Sequence, residues 1–512
     1  MIQRRSPIGA AKIRRKAVQV PVEAGLGANQ CAVTVGMFNL KLRLSKYEKV
    51  LIAIFLVTVP LVRPWIHGDG RGYYAFARAV LFQGNLDFES DWYHGYELNP
   101  QIGDSAFRAK YLTPNGHFWN HWTIGPAMLW APFLVTARAI TPLTDKINGT
   151  HFAGDGFSKP YMIALAVGTL FYGFLTLWLS FAVAKKYVAE RWAFLGTLGI
   201  WFATSFPFYL YVEPSFAHTH AAFLTALFVW YWDRTRGQES WQRWLVVGAI
   251  AGLLLDTYYP SVFVVVLSIL ESLHGYWTAW RRRSPREFLN IGLHNAVFAA
   301  AALLLFWPTL VTKKILWGSY LRTGYKQAWY WNSPAFFKVC FSSHGALSWT
   351  PILIPAVVGI YLLRKKDRQL SYGLLATLLA FTYFIGCYQD WHAIPSFGNR
   401  FFVSFTTFFV LGLAALLAQW DVFRAQKRST FLASTILIGA LTLWNCGLAY
   451  QFAAHLFPQS GTVSWTQVAY NQFVVVPGQV TELAKSLIRR NLNPPRKDDG
   501  NAASASTAVG NR

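Results

Sequence analysis

Residues 67–91, HGDGRGYYAFARAVLFQGNLDFESD, carry Asp69, Asp87, Glu89 and Asp91 in a 512-residue chain with only 23 acidic residues. A carboxylate in such a polar, aromatic stretch can act as a general base, taking a proton from an attacking hydroxyl or amine. Asp69 is the leading candidate for that role. It also stands just before a helix predicted over 72–82, where an Asp side chain serves as N-cap for the first free amides. The spacing allows both. Arg71 and Arg78 are seven apart and share a face of that helix; they suit a phosphate or, by snorkelling, lipid head groups. Asp87, Glu89 and Asp91 alternate at i, i+2, which in an extended segment places them together. That arrangement suits a divalent cation or a solvated acidic loop.

A second group lies near the C-terminal third, in YQDWHAIPSFGNRFF (388–402). Pro395, Gly398 and Asn399 break regular structure, and an apolar run follows, so Arg400 falls at a helix N-terminus. A cation is unfavourable there. An anion relieves that cost, and both a guanidinium and a helix N-terminus bind phosphate well; a carboxylate such as Asp390 is the alternative partner. Glu213 and His218 (YVEPSFAHTH), Asp256, Asp390 and His392 fall near the ends of apolar runs, on the side expected for Asp69. The segment 312–345 adds Lys313, Lys314, Arg322, Lys326, Lys338 and His344, basic groups able to close over an anionic head group. His218 and His220 are two apart, so they leave a helix on different faces and do not chelate together. The chain has no H-E-x-x-H, no phosphate-binding Gly-rich loop with Lys and no G-x-S-x-G. No cofactor is expected beyond the possible cation at the acidic loop. Cys31, Cys340, Cys387 and Cys446 are scattered, with no ligand or disulfide-framework spacing.

The elements that must position these groups are apolar. The chain is 54% hydrophobic, 17% aromatic and 14% charged, against about 25% charged in globular proteins. Runs of roughly 18 or more apolar residues recur, each able to cross a hydrocarbon core as a helix. The expected fold class is an all-α, polytopic transmembrane bundle. The net charge of +24 does not indicate nucleic acid, because the basic residues cluster between apolar runs, as positive-inside topology requires. Spans are expected at 49–66, 159–184, 192–210, 214–232, 242–258, 260–279, 288–311, 346–363, 369–388, 400–420 and 430–452. Basic clusters then fall at every second loop. Residues 122–143 are apolar enough to cross, but crossing would invert that pattern. They are read as an interfacial or re-entrant helix within a long first outer loop, 67–158. This gives eleven spans, with twelve as the alternative. Residues 1–48 form a basic cytoplasmic tail able to lie on anionic lipid, and 453–512 an external segment, disordered after 493. The expected place is the cell inner (plasma) membrane, with the N-terminus cytoplasmic.

Four stretches together carry a resemblance: GDGRGYYAFARAVLFQGNLDFESDWY, HWTIGPAMLWAPF, SSHGALSWTPILIPAVVG and WHAIPSFGNRFF. They resemble bacterial integral-membrane glycosyltransferases of the GT-C superfamily, in the dolichyl-phosphate-mannose–protein mannosyltransferase-like and aminoarabinose-transferase-like groups. The resemblance implies a polyprenyl-phosphate-linked sugar as donor and inverting attack by an acceptor on a protein, lipid or glycan. It implies an acid of the first outer loop as base, matched here by Asp69, with lipid phosphate as leaving group. Many such proteins have a second acid directly after the first; Gly70 stands here, leaving Glu213 or Asp87 to supply that charge. His121 stands where relatives often have His before Pro-Pro, but Trp122 and Thr123 follow. Substrate-binding residues are then expected among Arg400, Arg71, Glu213, His218, Arg322, Lys326, His344 and His392. Two other classes stay open. A transporter or lipid flippase requires repeats and a midplane site; no repeat is evident and Glu271 alone lies deep. A purely structural membrane protein would leave Asp69, Glu213 and Arg400 dispersed.

Overall fold

Proline and the short polar residues set where the helices begin and end. The longest helix, Pro285–Trp317, opens with Ser284, whose side chain accepts the Glu287 amide at 3.3 Å, and with Pro285 in the first turn. That is a side-chain N-cap, with the proline placed where its missing N–H costs nothing. It closes on Gly318 at φ 79°, the left-handed conformation that glycine adopts without strain. Asp367 caps the helix Arg368–Cys387 in the same manner, accepting from the Leu370 amide at 2.9 Å.

The computed structural model describes residues 44–96, 111–425 and 428–492. The expected basic tail up to residue 43 and the tail after 492 lie outside them. Among the described residues the chain is all-helical, with isolated bridges at Leu112–Phe118 and Trp329–Tyr388 and no strand. In chain order we label α1 Lys46–Thr58, α2 Gly70–Arg78, α3 Glu89–Tyr96, α4 Gly125–Asn148, α5 Lys159–Tyr187, α6 Glu190–Phe202, α7 His218–Thr235, α8 Trp241–Thr257, α9 Val266–Arg281 and α10 Pro285–Trp317. There follow α11 Leu353–Leu362, α12 Arg368–Cys387, α13 Thr406–Phe423, α14 Arg428–Ala453 and α15 Val476–Leu492.

Among the described residues, six helical segments are long and apolar enough to cross a membrane: 159–187, 259–281, 285–317, 368–387, 400–423 and 428–453. The pair Phe336–Trp349 and Leu353–Lys365 makes a seventh if counted as one broken span; it bends by 98°. Helix is present in each of the eleven expected segments, but several pieces are short. The run expected over 49–66 stops being α-helical at Thr58, before Pro60, and the run over 192–210 stops at Phe202. Thirteen residues of α-helix reach only about 20 Å, less than a ~30 Å hydrocarbon core. The helix α4, covering the ambiguous 122–143 stretch, is not among the six.

Helix α13 is the centre of the packing, and the 400–423 segment that it completes is the most buried of the six. It meets α11 through glycine: a Cβ on Gly412 would lie 2.0 Å from the Ala356 carbonyl oxygen, and one on Gly359 1.8 Å from that of Gly412. Helix α8 meets α10 through Gly248 and Gly252, whose added Cβ atoms would each lie 2.3 Å from a carbonyl oxygen, of Phe298 and Ala302. Small residues four apart let apolar helices approach closely enough for dispersion to hold them.

The basic clusters converge on one end. Lys185 pairs with Glu48 at 2.5 Å, Lys186 with Asp233 at 2.9 Å, Arg191 with Asp421 at 2.7 Å, and Arg236 with Asp367. Glu271, the deep acid of the sequence, is bound there too, by Arg243 at 2.7 Å and the Trp232 indole at 2.7 Å. It closes an ion pair. Asp69 lies beyond the opposite end of α1 from Glu48, and the rest of the site gathers around it.

Candidate active site

Asp69 precedes α2 with helical backbone angles (φ −59°, ψ −24°), and its side chain makes no capping hydrogen bond. The carboxylate turns instead to Arg400, whose Nη2 donates to Asp69 Oδ2 at 2.8 Å across 331 residues of chain. Their side chains are 35% and 15% exposed respectively. Arg400 opens the 3₁₀ turn before α13, and this turn packs against α7. Its guanidinium lies over the Phe216 ring at 5.4 Å, and its Nε is buried without a hydrogen-bond partner. The expected alternative partner, Asp390, is therefore replaced by Asp69 itself.

The turn Glu213–Ala217 joins the two. Ser215 Oγ accepts the His67 amide at 3.2 Å. A Cβ on Gly70 would lie 2.0 Å from that same Oγ, and one on Gly72 1.9 Å from the Trp122 ring. The position after Asp69 therefore has no room for a second acid without moving this turn. Glu213 supplies a second carboxylate from the other side. It is buried, 3.6 Å from His67 Nδ1, and lies within electrostatic reach of Arg400.

Tyrosines surround this pair, and the sequence reading missed them. Tyr73 is one turn beyond Asp69 on α2. Burial, and secondly the Asp69 charge, push its hydroxyl well above the usual range. Tyr325 comes from the loop after α10. Its residue is 36% exposed, yet its hydroxyl is desolvated and raised by that burial, with Tyr73 and Asp69 next among the groups acting on it. Tyr258, in the turn after α8, is in the field of Arg400 and Asp69, and its hydroxyl has no hydrogen-bond partner. The signals were GYY beside Asp69 and TYYP at a helix end, where only the acids Asp69 and Asp256 stood out.

His218 joins the group. It is buried against Tyr209 and Tyr258, ring centroids 5.4 and 4.9 Å away, with Nδ1 unpartnered. His220 leaves on another face toward Trp130, at 4.9 Å. His121 packs on Tyr325 at 4.4 Å and Trp119 at 4.5 Å, its Nδ1 also unpartnered. Burial, reinforced by the Lys313 charge, pushes its imidazole down from 6.5 to about 3. The unfolded chain then takes up a proton below 6.5 that the folded chain refuses. Stability from this group is present above 6.5 and is lost as pH falls toward 3, by up to about 1.4 kcal/mol per unit. Melting of purified protein from pH 7 to 4.5 is expected to fall more steeply for wild type than for His121→Gln; parallel curves would contradict the assignment.

Other expected site residues lie elsewhere. His344 Nε2 is 2.5 Å from the Gly461 carbonyl oxygen, and His392 Nδ1 accepts the Ile394 amide at 3.3 Å. Neither bond involves Asp69 or Arg400: His344 ties the segment before α11 to the C-terminal segment, and His392 holds its own 389–399 loop. Arg322 stacks over Trp317 at 5.6 Å, and Lys326 is exposed; of the 312–345 stretch it is Lys313 and Tyr325 that reach His121. Arg71 is half-buried and forms no ion pair among the described residues. Asp256 Oδ1 accepts the Thr309 amide at 2.9 Å, just after Pro308 interrupts α10.

The three acids of 87–91 separate, because α3 starts at Glu89 and the segment is not extended. Asp87 accepts the Glu89 amide at 3.0 Å. Asp91 accepts from Arg78 Nε at 2.5 Å and also from Nη2, which reaches Ser90 Oγ as well. Arg78 is thus neither a phosphate ligand nor a snorkelling residue. Both partners are nearly fully buried, and removing one side of such a pair strands a charge. Asp91→Asn is expected to destabilise the protein by about 3 kcal/mol, read as a fall in melting temperature; an unchanged melt would show the pair contributes nothing. Among the described residues, no group of three His, Cys, Asp or Glu side chains is arranged to hold a metal ion.

No protein-family model and no curated protein matches the chain.

Proposed function

We propose that the protein is a membrane glycosyltransferase that moves a sugar from a polyprenyl-phosphate donor to an acceptor on the outer face of the plasma membrane. The observation that carries this reading is the Asp69–Arg400 pair, a partly exposed base and a phosphate-binding cation held at 2.8 Å from opposite parts of the chain. The GT-C resemblance of the same stretches supports it, as does the convergence of basic clusters at the other end, which on the positive-inside rule is cytoplasmic. The eleven-span arrangement belongs to this reading.

The chemistry follows from the pair. An acceptor hydroxyl attacks the anomeric carbon from the face opposite the phosphate and forms the new C–O bond. Its proton passes to an Asp69 carboxylate oxygen. The bond between the anomeric carbon and the phosphate oxygen breaks, and the electron pair leaves with the phosphate, beside Arg400. A guanidinium already in place where that charge develops lowers the barrier without reorganising. The resting ion pair adds control: donor phosphate competes for Arg400 and so releases Asp69 as a base only when donor is present.

Comparison of cells with and without the gene tests this. Loss should make a polyprenyl-phosphate sugar accumulate and one envelope glycan disappear, and Asp69→Asn should fail to restore it. Movement of an intact lipid-linked sugar across sealed vesicles, equal for wild type and Asp69→Asn, would make the protein a flippase instead.

A further inference from the structure

Beyond the reaction class, the groups facing Asp69 and Arg400 carry information about the sugar. From the first loop comes Tyr73, from the turn after α8 Tyr258, and from the loop after α10 Tyr325, whose ring packs on His121 at 4.4 Å. We propose that the donor sugar is uncharged, a neutral pentose or hexose whose hydroxyls are met by Tyr73, His121, Tyr258 and Tyr325; this rests on the glycosyl-transfer reading above.

The side chains offered to the ring are hydroxyls, the imidazoles of His121 and His218, and aromatic faces. Tyr258 hydroxyl and His121 Nδ1 are buried without a protein partner, and buried polar atoms rarely go unmet. A pyranose or furanose supplies alternating donors and acceptors for such atoms and apolar C–H faces for the rings. Each charged group nearby is already engaged. Asp69 and Arg400 hold each other at rest, and in the reaction above they are taken up by the acceptor's proton and the donor's phosphate. Glu213 turns to His67. Lys313 gives its ammonium to the carbonyl oxygens of His121 and Trp122, at 2.8 and 2.6 Å, behind the imidazole. Arg71 is two residues from both Asp69 and Tyr73, so it leaves α2 on another face than theirs. A sugar ammonium or carboxylate in this space would be desolvated without a dedicated counter-charge, which is costly. The neutrality of His121 fits as well, since a second cation would oppose the positive charge that builds on the ring as the phosphate departs.

The loop geometry holds Tyr325 in place. Gly324 lies at φ +83°, and a Cβ there would be 2.5 Å from the Trp317 ring. Further along, Ala328 and Gln389 exchange hydrogen bonds: the Gln389 amide donates to the Ala328 carbonyl at 3.0 Å, and the Ala328 amide to Gln389 Oε1 at 2.9 Å.

The test measures displacement of labelled undecaprenyl phosphate from the purified full-length protein. The competitors are undecaprenyl-phosphate arabinose, its 4-amino-4-deoxyarabinose analogue and its glucuronate analogue. The arabinose lipid should bind at least about tenfold more tightly than either charged one. Tyr325→Phe should remove most of that advantage while changing the affinity of bare undecaprenyl phosphate by less than about twofold. Equal or tighter binding of a charged sugar lipid overturns the inference and leaves the phosphate site standing. Equal weakening of bare and sugar-bearing lipid by Tyr325→Phe overturns it too. No binding of bare undecaprenyl phosphate brings down the glycosyl-transfer reading, and this inference with it.

Discussion

Asp69→Asn is expected to lower the rate of sugar transfer by roughly 10²–10⁴-fold, the span over which a positioned general base acts. Label moving from lipid donor to the envelope fraction of membranes measures it. The substitution suits the test because the amide oxygen can still accept from Arg400 Nη2, which now sits 2.8 Å from Oδ2. The fold should survive, since the Asp69 side chain caps no helix and is a third exposed. A second outcome has the opposite sign and sharpens the first. With the carboxylate neutralised, Arg400 loses its resting counter-ion, so bare undecaprenyl phosphate should bind as tightly as before or more tightly. Weaker transfer with undiminished phosphate binding separates a base from a phosphate ligand. If transfer persists and only the melting temperature falls, Asp69 is a structural acid and the mechanism above is wrong.

The sequence made part of this site visible, for physical reasons. A helical, apolar class follows from composition, because a membrane-length run of apolar residues has few other uses. Asp69 and Arg400 stood out because each broke a local rule: an acid where apolar sequence ends, a cation where the helix dipole opposes it. Such conflicts mark places where a tertiary partner compensates, and here each turned out to be the other's partner. What stayed hidden was pairing that breaks no local rule. Asp91 and Arg78 look like ordinary loop and helix charges until α3 folds back over α2. Tyr73, Tyr258 and Tyr325 look like interfacial aromatics, and only the close approach of three distant segments turns them inward. The count of spans was hidden for a related reason: hydropathy does not report where a helix breaks, and breaks at Pro60 and after Phe202 divide runs that read as continuous. The glycine pair Gly248 and Gly252, spaced four apart in an apolar run, was a legible packing signal that the sequence reading passed over.

Arg400→Lys should weaken binding of undecaprenyl phosphate by about tenfold or more and reduce transfer by roughly 10²–10³-fold, the loss typical when one donor aimed at developing charge is removed. Lysine keeps the charge, so the effect isolates geometry. The guanidinium is planar and makes two uses of its faces and edge at once: it lies over Phe216 at 5.4 Å, and it donates from Nη2 to Asp69 while Nε stays unpartnered. An incoming phosphate can take Nε and then Nη2 as a bidentate pair, displacing Asp69. An ammonium is a compact, strongly hydrated point charge that offers no such fork. Because the substituted lysine would still neutralise Asp69 at rest, the melting temperature should fall little, which separates this loss from misfolding. The two substitutions should therefore split: Asp69→Asn loses turnover and retains phosphate affinity, whereas Arg400→Lys loses both. Retention of full phosphate affinity by Arg400→Lys would move the leaving-group site elsewhere.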